Sequence, residues 1–253
     1  SAILAVHVFG NPCDVDSLAD IAKRRGLRLI YDAAHAFGCK IGGRGIGTFG
    51  DITMFSFHPT KLFHTAEGGA LTYSDASLKE RIVKLRNFGI ENEDEVSFPG
   101  YNGKMNELSA AMGQLVLEMV PGEMKKRAAL MAAYREGLSN IAGVSHTDEQ
   151  EGITNSYQYF CIRIDAQEFG KDRNYVHKRM KDFNVLTRKY FFPLCSEYPG
   201  YREHESARSQ NLPVATNVVS ETLAMPFYGE LSVLDIERIC EILKHIKNEK
   251  PIY

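Results

Sequence analysis

The chain is predicted to be an α/β protein: a mainly parallel sheet belonging to a large domain, followed by a small C-terminal α+β domain. Three observations predict it. Residues 3–9 are a nearly continuous apolar run, residues 15–25 carry Val15, Leu18, Ile21 and Ala22 at helical spacing behind Asp14, and residues 27–31 are a second apolar run. Strand, helix, strand implies a right-handed crossover and parallel neighbours. Amphipathic helical patterns dominate from residue 77, and near Gly143 the pattern changes to short alternating segments mixed with helices.

The run at 3–9 reads as a buried strand, 27–31 as a second, 52–57 as a third and 70–73 as a fourth. Residues 77–88 place Leu78, Ile82 and Leu85 on one stripe, and residues 106–119 do the same with Leu108, Met112, Leu115 and Met119. A further long amphipathic segment covers 123–138. Residues 157–164 alternate as a strand, 175–183 form a helix, and 185–191 form another strand. Residues 235–247, with Ile236, Ile239, Cys240, Leu243 and Ile246 on one face, close the chain as a helix. The expected division is residues 1–122 as a partial large domain and 123–253 as a long bridging helix with the small domain.

With 253 residues, 44% hydrophobic and 25% charged, the chain is long enough to bury a sizeable core. A net charge of -2 gives no case for nucleic acid or an anionic membrane as partner. No apolar run approaches the ~20 residues that span a bilayer, and no charged, apolar, small-residue leader opens the chain. The expectation is a soluble cytoplasmic protein. Cys13, Cys39, Cys161, Cys195 and Cys240 lack CxxC spacing, so they are expected to be reduced packing residues with no metal site and no disulfide framework.

Two residues carry the chemistry. Lys61 ends the run Ser56-Phe57-His58-Pro59-Thr60-Lys61, just past the third strand, and Asp32 ends the second. A lysine after a strand is ordinarily solvated, and Asp32 also suits a helix N-cap before Ala33-Ala34. Together they are the minimal equipment for holding pyridoxal 5'-phosphate: the amine makes an imine and the carboxylate keeps the pyridine nitrogen protonated. Burial and cationic surroundings favour the neutral amine that this requires, and Lys61 is then the natural base for proton movement. Ligands of parallel sheets gather beyond the carboxyl ends of the strands, where Asp32 and residues 58–61 lie.

The segments VHVFGNPCDVD (6–16), LIYDAAHAFG (29–38), GDITMFSFHPTKLFHTAEGGALTYSD (50–75) and GYNGKMNELSAAMG (100–113) resemble the DegT/DnrJ/EryC1/StrS family of sugar aminotransferases. The resemblance implies the type I fold of pyridoxal-phosphate-dependent transferases. It implies that Asp32 pairs with the pyridine nitrogen and that His35 stands beside the ring and its O3', a satisfied structural histidine being the alternative. Ser56 would face the cofactor phosphate, as a serine hydroxyl beside turn amides can, or simply cap its turn. Asn102 would reach across a homodimer interface to the neighbour's cofactor phosphate, although turn chemistry alone also explains Gly100, Asn102 and Gly103. Lys104 stands where many relatives have arginine and offers a point charge rather than a bidentate fork. Arg188 and Tyr190 match a segment that approaches the sugar nucleotide in relatives, and they also read as a half-exposed strand.

Relatives carry further strands and a Ser-Gly-Thr phosphate turn before the first strand seen here. By that resemblance the chain is expected to be the downstream portion of a longer enzyme, with a sheet edge and apolar faces in need of a partner. The implied reaction moves an amino group from L-glutamate to a nucleotide-linked keto-deoxysugar, and the look is closest to members that form dTDP-4-amino-4,6-dideoxyglucose from the 4-keto sugar for surface polysaccharide. Sugar dehydratases of the same fold replace the lysine with histidine, so Lys61 argues for amino transfer. A non-catalytic remnant acting as a dimerising module is the other alternative.

Overall fold

The computed structural model describes residues 1–249, and the chain packs as two units. One is Ser1–Glu123 with Gln150–Gln158; the other is Met124–Glu149 with the chain from Tyr159 onward.

In the first unit, β1 (Ala2–Val6) leads to α1 (Val15–Arg25) and back to β2 (Arg28–Asp32). Asp14 starts α1 by accepting a hydrogen bond from the Ser17 amide at 3.0 Å, and Gly26 ends it at φ 60 after three basic residues that suit a helix C-terminus. A hairpin of two short strands follows, β3 (Lys40–Ile41) and β4 (Arg44–Gly45), and then β5 (Ile52–Ser56), β6 (Gly69–Tyr73) and α2 (Leu78–Leu85). The main sheet runs β1-β2-β5-β6, with β1, β2 and β5 parallel and β6 antiparallel. The α/β class and mainly parallel sheet expected from the sequence are therefore present. Strand alternation sends Leu29 and Tyr31 toward Val15 and Ala22 of α1, leaving Ile30 and Asp32 on the other face.

The run at 3–9 departs from its expectation. The strand ends at Val6, the chain then turns through Val8–Gly10 with Phe9 at φ 59, and Leu4 is 67% exposed. Apolar composition signals burial, but among the described residues β1 pairs with β2 alone. Among the described residues the outer edge of β1 has no strand partner, and Leu4 and Val6 lie exposed beside it.

The helices expected at 106–119 and 123–138 are one helix, α3 (Glu107–Leu138), with Pro121 inside it. An interior proline removes a backbone hydrogen bond, and buried Val120, Leu130, Tyr134 and Leu138 supply the packing that outweighs the loss. β7 (Val144–His146) follows, and β8 (Ile153–Thr154) pairs with β3 in the first unit. The second unit continues with β9 (Cys161–Ile164), α4 (Ala166–Phe169), α5 (Arg173–Asp182), α6 (Pro213–Glu221), β10 (Thr222–Ala224) and α7 (Val233–Asn248). Its antiparallel sheet runs β10-β9-β7. Ile162, Val176, Met180, Leu223, Ile236, Leu243 and Ile246 are all fully buried and form its core.

Two expected strands shrink. The segment 157–164 is a strand only from Cys161, and 185–191 is no strand: Arg188 alone bridges Ala224, donating at 2.9 Å and accepting at 2.8 Å, before a turn closes from Phe192 to Lys189. β10 is only three residues long and gives its other edge to β9, so a longer ladder has no template. Replacing fully buried Leu243 with alanine is expected to cost about 2–5 kcal/mol, read as a lower urea midpoint with an unchanged denaturant slope.

Candidate active site

The parallel register sets Asp32 between Val6 of β1 and Met54 of β5, at the carboxyl end of β2. No helix follows it, so the N-cap reading fails. The chain turns instead, with Asp32 Oδ1 accepting the Ala34 amide at 2.9 Å and Ala36 donating to the Ala33 carbonyl at 2.9 Å.

Lys61 sits on the loop between β5 and β6. That loop is pinned by its aromatic residues: Phe63 stacks on Phe37 at 4.5 Å and meets Phe57 edge-on at 4.7 Å. Backbone bonds from Phe57 to Gly68 (2.9 Å) and from Thr65 to Phe57 (3.0 Å) close its base, and a turn from His58 to Lys61 (2.9 Å) presents the lysine. Lys61 is half-buried, and its Nζ makes no hydrogen bond or ion pair among the described residues. Burial of the ammonium pulls its pKa below the usual lysine value, and the Asp32 carboxylate opposes the shift without cancelling it.

His35 lies within reach of both charges. Its Nδ1 accepts the Phe9 amide at 3.2 Å, which leaves Nε2 as the protonated nitrogen of the neutral ring. Burial lowers its pKa to about 4, helped by the Lys61 cation and opposed by Asp32. Asp32, His35 and Lys61 thus form one electrostatic group.

Sequence reasoning missed three neighbours. His7 is fully buried, stacks on Tyr31 at 4.6 Å, and accepts the Cys13 amide on Nδ1 at 3.0 Å. Burial lowers its pKa to about 4 against the pull of Asp32, and its backbone amide donates to the Asp32 carbonyl at 3.0 Å. A histidine interrupting an apolar run was the available signal. Ser156 and Gln158 come from far along the chain: Ser156 Oγ donates to the His35 carbonyl at 2.7 Å, and Gln158 bonds the main chain on both sides of Lys61. Only the fold reveals them.

The remaining expected residues are placed as follows. Ser56 is the last residue of β5, and its Oγ accepts a long 3.4 Å bond from the His58 amide. Asn102 and Lys104 are exposed and gather around Asn87, which bridges Asn102 and accepts from Lys104 Nζ at 2.8 Å. Among the described residues no hydrogen bond or ion pair joins either to Asp32 or Lys61. Arg188 and Tyr190 belong to the second unit, where Tyr190 meets Tyr159 edge-on at 5.7 Å and stacks on Phe191 at 4.6 Å.

The profile of the DegT/DnrJ/EryC1/StrS aminotransferase family matches residues 1–244, and the chain belongs to that family. It is 36% identical over 247 residues to a dTDP-4-amino-4,6-dideoxy-D-glucose transaminase of Shigella dysenteriae, covering 97% of this chain and 66% of the relative. It is 38% identical over 244 residues to the Escherichia coli protein of the same name, covering 96% and 66%. The chain therefore spans slightly less than two thirds of the length of these relatives. A solved structure of DesI in the presence of its TDP-sugar product superposes with a TM-score of 0.90 at 38% identity, covering 98% of this chain and 62% of that one.

His7 and His35 have folded pKa values of about 4, below the ordinary 6.5. Their neutral forms therefore stabilise the fold fully above pH 6.5, and that contribution is lost as pH falls toward about 4. Ring-proton NMR is expected to show two imidazoles still neutral near about pH 5.5, where an ordinary histidine is mostly charged. Stability should decline across this window, with a shallower decline in His35→Gln.

Proposed function

We propose that this protein is a pyridoxal 5'-phosphate-dependent aminotransferase that moves an amino group from L-glutamate to dTDP-4-keto-6-deoxyglucose, a nucleotide-linked keto-deoxysugar used for surface polysaccharide. The observation that carries the reading is the Lys61 amine: it is half-buried, shifted toward its neutral form, without a hydrogen-bond partner among the described residues, and within the field of Asp32. The choice of sugar rests on the two dTDP-4-amino-4,6-dideoxy-D-glucose transaminases that the chain matches at 36% and 38% identity.

The residues present fit the cofactor. Asp32 commits Oδ1 to the Ala34 turn, and its charge would balance a protonated ring nitrogen. Neutral His35 would donate from Nε2 to the ring oxygen without adding charge to the site. Ser56 and the amides of its turn would hold the phosphate, with Asn102 contributed by a second copy in a homodimer. Lys104, Arg188 and Tyr190 would receive the sugar nucleotide. The bound cofactor supplies an electron sink for the substrate carbon that loses its proton. Lys61 would hold the cofactor through a covalent bond from its primary amine, and the same amine would serve as the base that takes and returns the proton at the substrate carbon. A histidine there, as in the dehydratases, would not supply a primary amine for this bond. Residues 1–122 would carry the cofactor and 123–253 the small domain, in a cytoplasmic enzyme.

Borohydride treatment after loading with pyridoxal 5'-phosphate is expected to fix one pyridoxyl group to Lys61, mapped by peptide mass spectrometry. Lys61→Ala should abolish the adduct and lower glutamate-dependent amination of the 4-keto sugar nucleotide by about a thousandfold or more. Fixation elsewhere would overturn the assignment of Lys61, and faster amination of a 3-keto sugar would overturn the choice of substrate.

A further inference from the structure

We propose that Gln158 is a positioning residue for Lys61, gripping the peptide groups on both sides of it as a neighbouring strand would. The inference rests on the reading of Lys61 as the reactive amine. Gln158 Oε1 accepts the Leu62 amide at 2.6 Å, and Nε2 donates to the Thr60 carbonyl at 2.9 Å. The partners themselves set the orientation of the carboxamide, because the flipped amide would oppose oxygen to oxygen and nitrogen to nitrogen. The residue is 5% exposed, so both bonds also offset the cost of burying its carboxamide. With the Lys61 amide donating to the His58 carbonyl at 2.9 Å, the Thr60 carbonyl and the Lys61 and Leu62 amides are all hydrogen-bonded. What stays free is the Lys61 side chain.

The segment that delivers Gln158 is shaped for the task. Asn155 Oδ1 accepts the Tyr157 amide at 2.6 Å and supports Tyr157 at φ 53, a left-handed conformation that costs a non-glycine residue about 1–2 kcal/mol. That twist lies between Ser156, fully buried and bonded to the His35 carbonyl, and Gln158, bonded beside Lys61. Gly10, at φ +89, makes the approach possible, since a Cβ there would stand 2.0 Å from Ser156 Oγ. One short segment, 96 to 121 residues from its partners, therefore fixes the Lys61 and His35 backbones relative to each other. Polar side chains are bonded here with little water to replace them, so loss of one end is felt locally.

The test uses backbone amide exchange on cofactor-free protein. In Gln158→Leu the Leu62 amide should exchange about tenfold faster or more, while the Ala33 amide, bonded to the Met54 carbonyl at 2.8 Å, keeps its rate. Gln158→Glu keeps an acceptor for Leu62 but sets an oxygen against the Thr60 carbonyl, so the Leu62 amide should accelerate less than in Gln158→Leu. In loaded enzyme, Gln158→Leu should lower kcat by about tenfold to a hundredfold with little change in KM for glutamate, because it misplaces a reacting group without touching the substrate. If Leu62 and Ala33 accelerate alike in both variants, or Leu62 does not accelerate in Gln158→Leu, Gln158 is a packing residue and the proposal fails. Absence of a borohydride adduct in the parent would instead sink the aminotransferase reading and leave the exchange result standing.

Discussion

The parallel pairing of β2 with β1 on one side and β5 on the other is the constraint on which the rest depends. It places the carboxyl ends of three strands along one edge, with Val6, Asp32 and Met54 in register. Three groups of the candidate site leave from that edge: Asp32 as the last residue of β2, Lys61 from the loop after β5, and His7 as the residue after β1. Alternation within β2 does the rest, sending Tyr31 into the core against α1 and Asp32 to the opposite face.

Within that edge, burial and charge pull in opposite directions, and burial wins at each basic group. Desolvation lowers the pKa of His7, His35 and Lys61, and in each case Asp32 is the group that resists. The consequence is a site in which Asp32 faces two imidazoles that stay neutral near neutral pH and an amine whose pKa is drawn below the usual lysine value. Such a set suits a group that brings its own cation and aldehyde more than one that brings an anion alone.

Much of this was legible in the sequence where the signal is local. α1 announced itself by Asp14, its apolar stripe and Gly26, and α7 by a five-residue apolar face that is fully or nearly fully buried. Asp32 and Lys61 could be picked out because each follows a strand signal within a few residues. What failed was non-local. Leu4, Val6 and Val8 of the apolar run at 3–9 are exposed, and 185–191 alternate without an edge to pair with. The two-residue strands β3, β4 and β8 have no period to detect, and Ser156 and Gln158 acquire their roles through contacts about a hundred residues away. Arg188 and Tyr190 were singled out through family resemblance; in the second unit Arg188 bridges Ala224 and Tyr190 packs edge-on against Tyr159.

The central claim is that Asp32 and Lys61 share one field at the end of the sheet, with burial setting the direction of the lysine's shift and the carboxylate limiting it. The most direct measurement is the pKa of the Lys61 amine in cofactor-free protein, from the pH dependence of its chemical labelling, compared with Asp32→Asn. The account predicts a value below the ordinary 10.5 in the parent and a lower one still in the variant. A Lys61 pKa that is ordinary in the parent, or that stays the same or rises when Asp32 loses its charge, would contradict it.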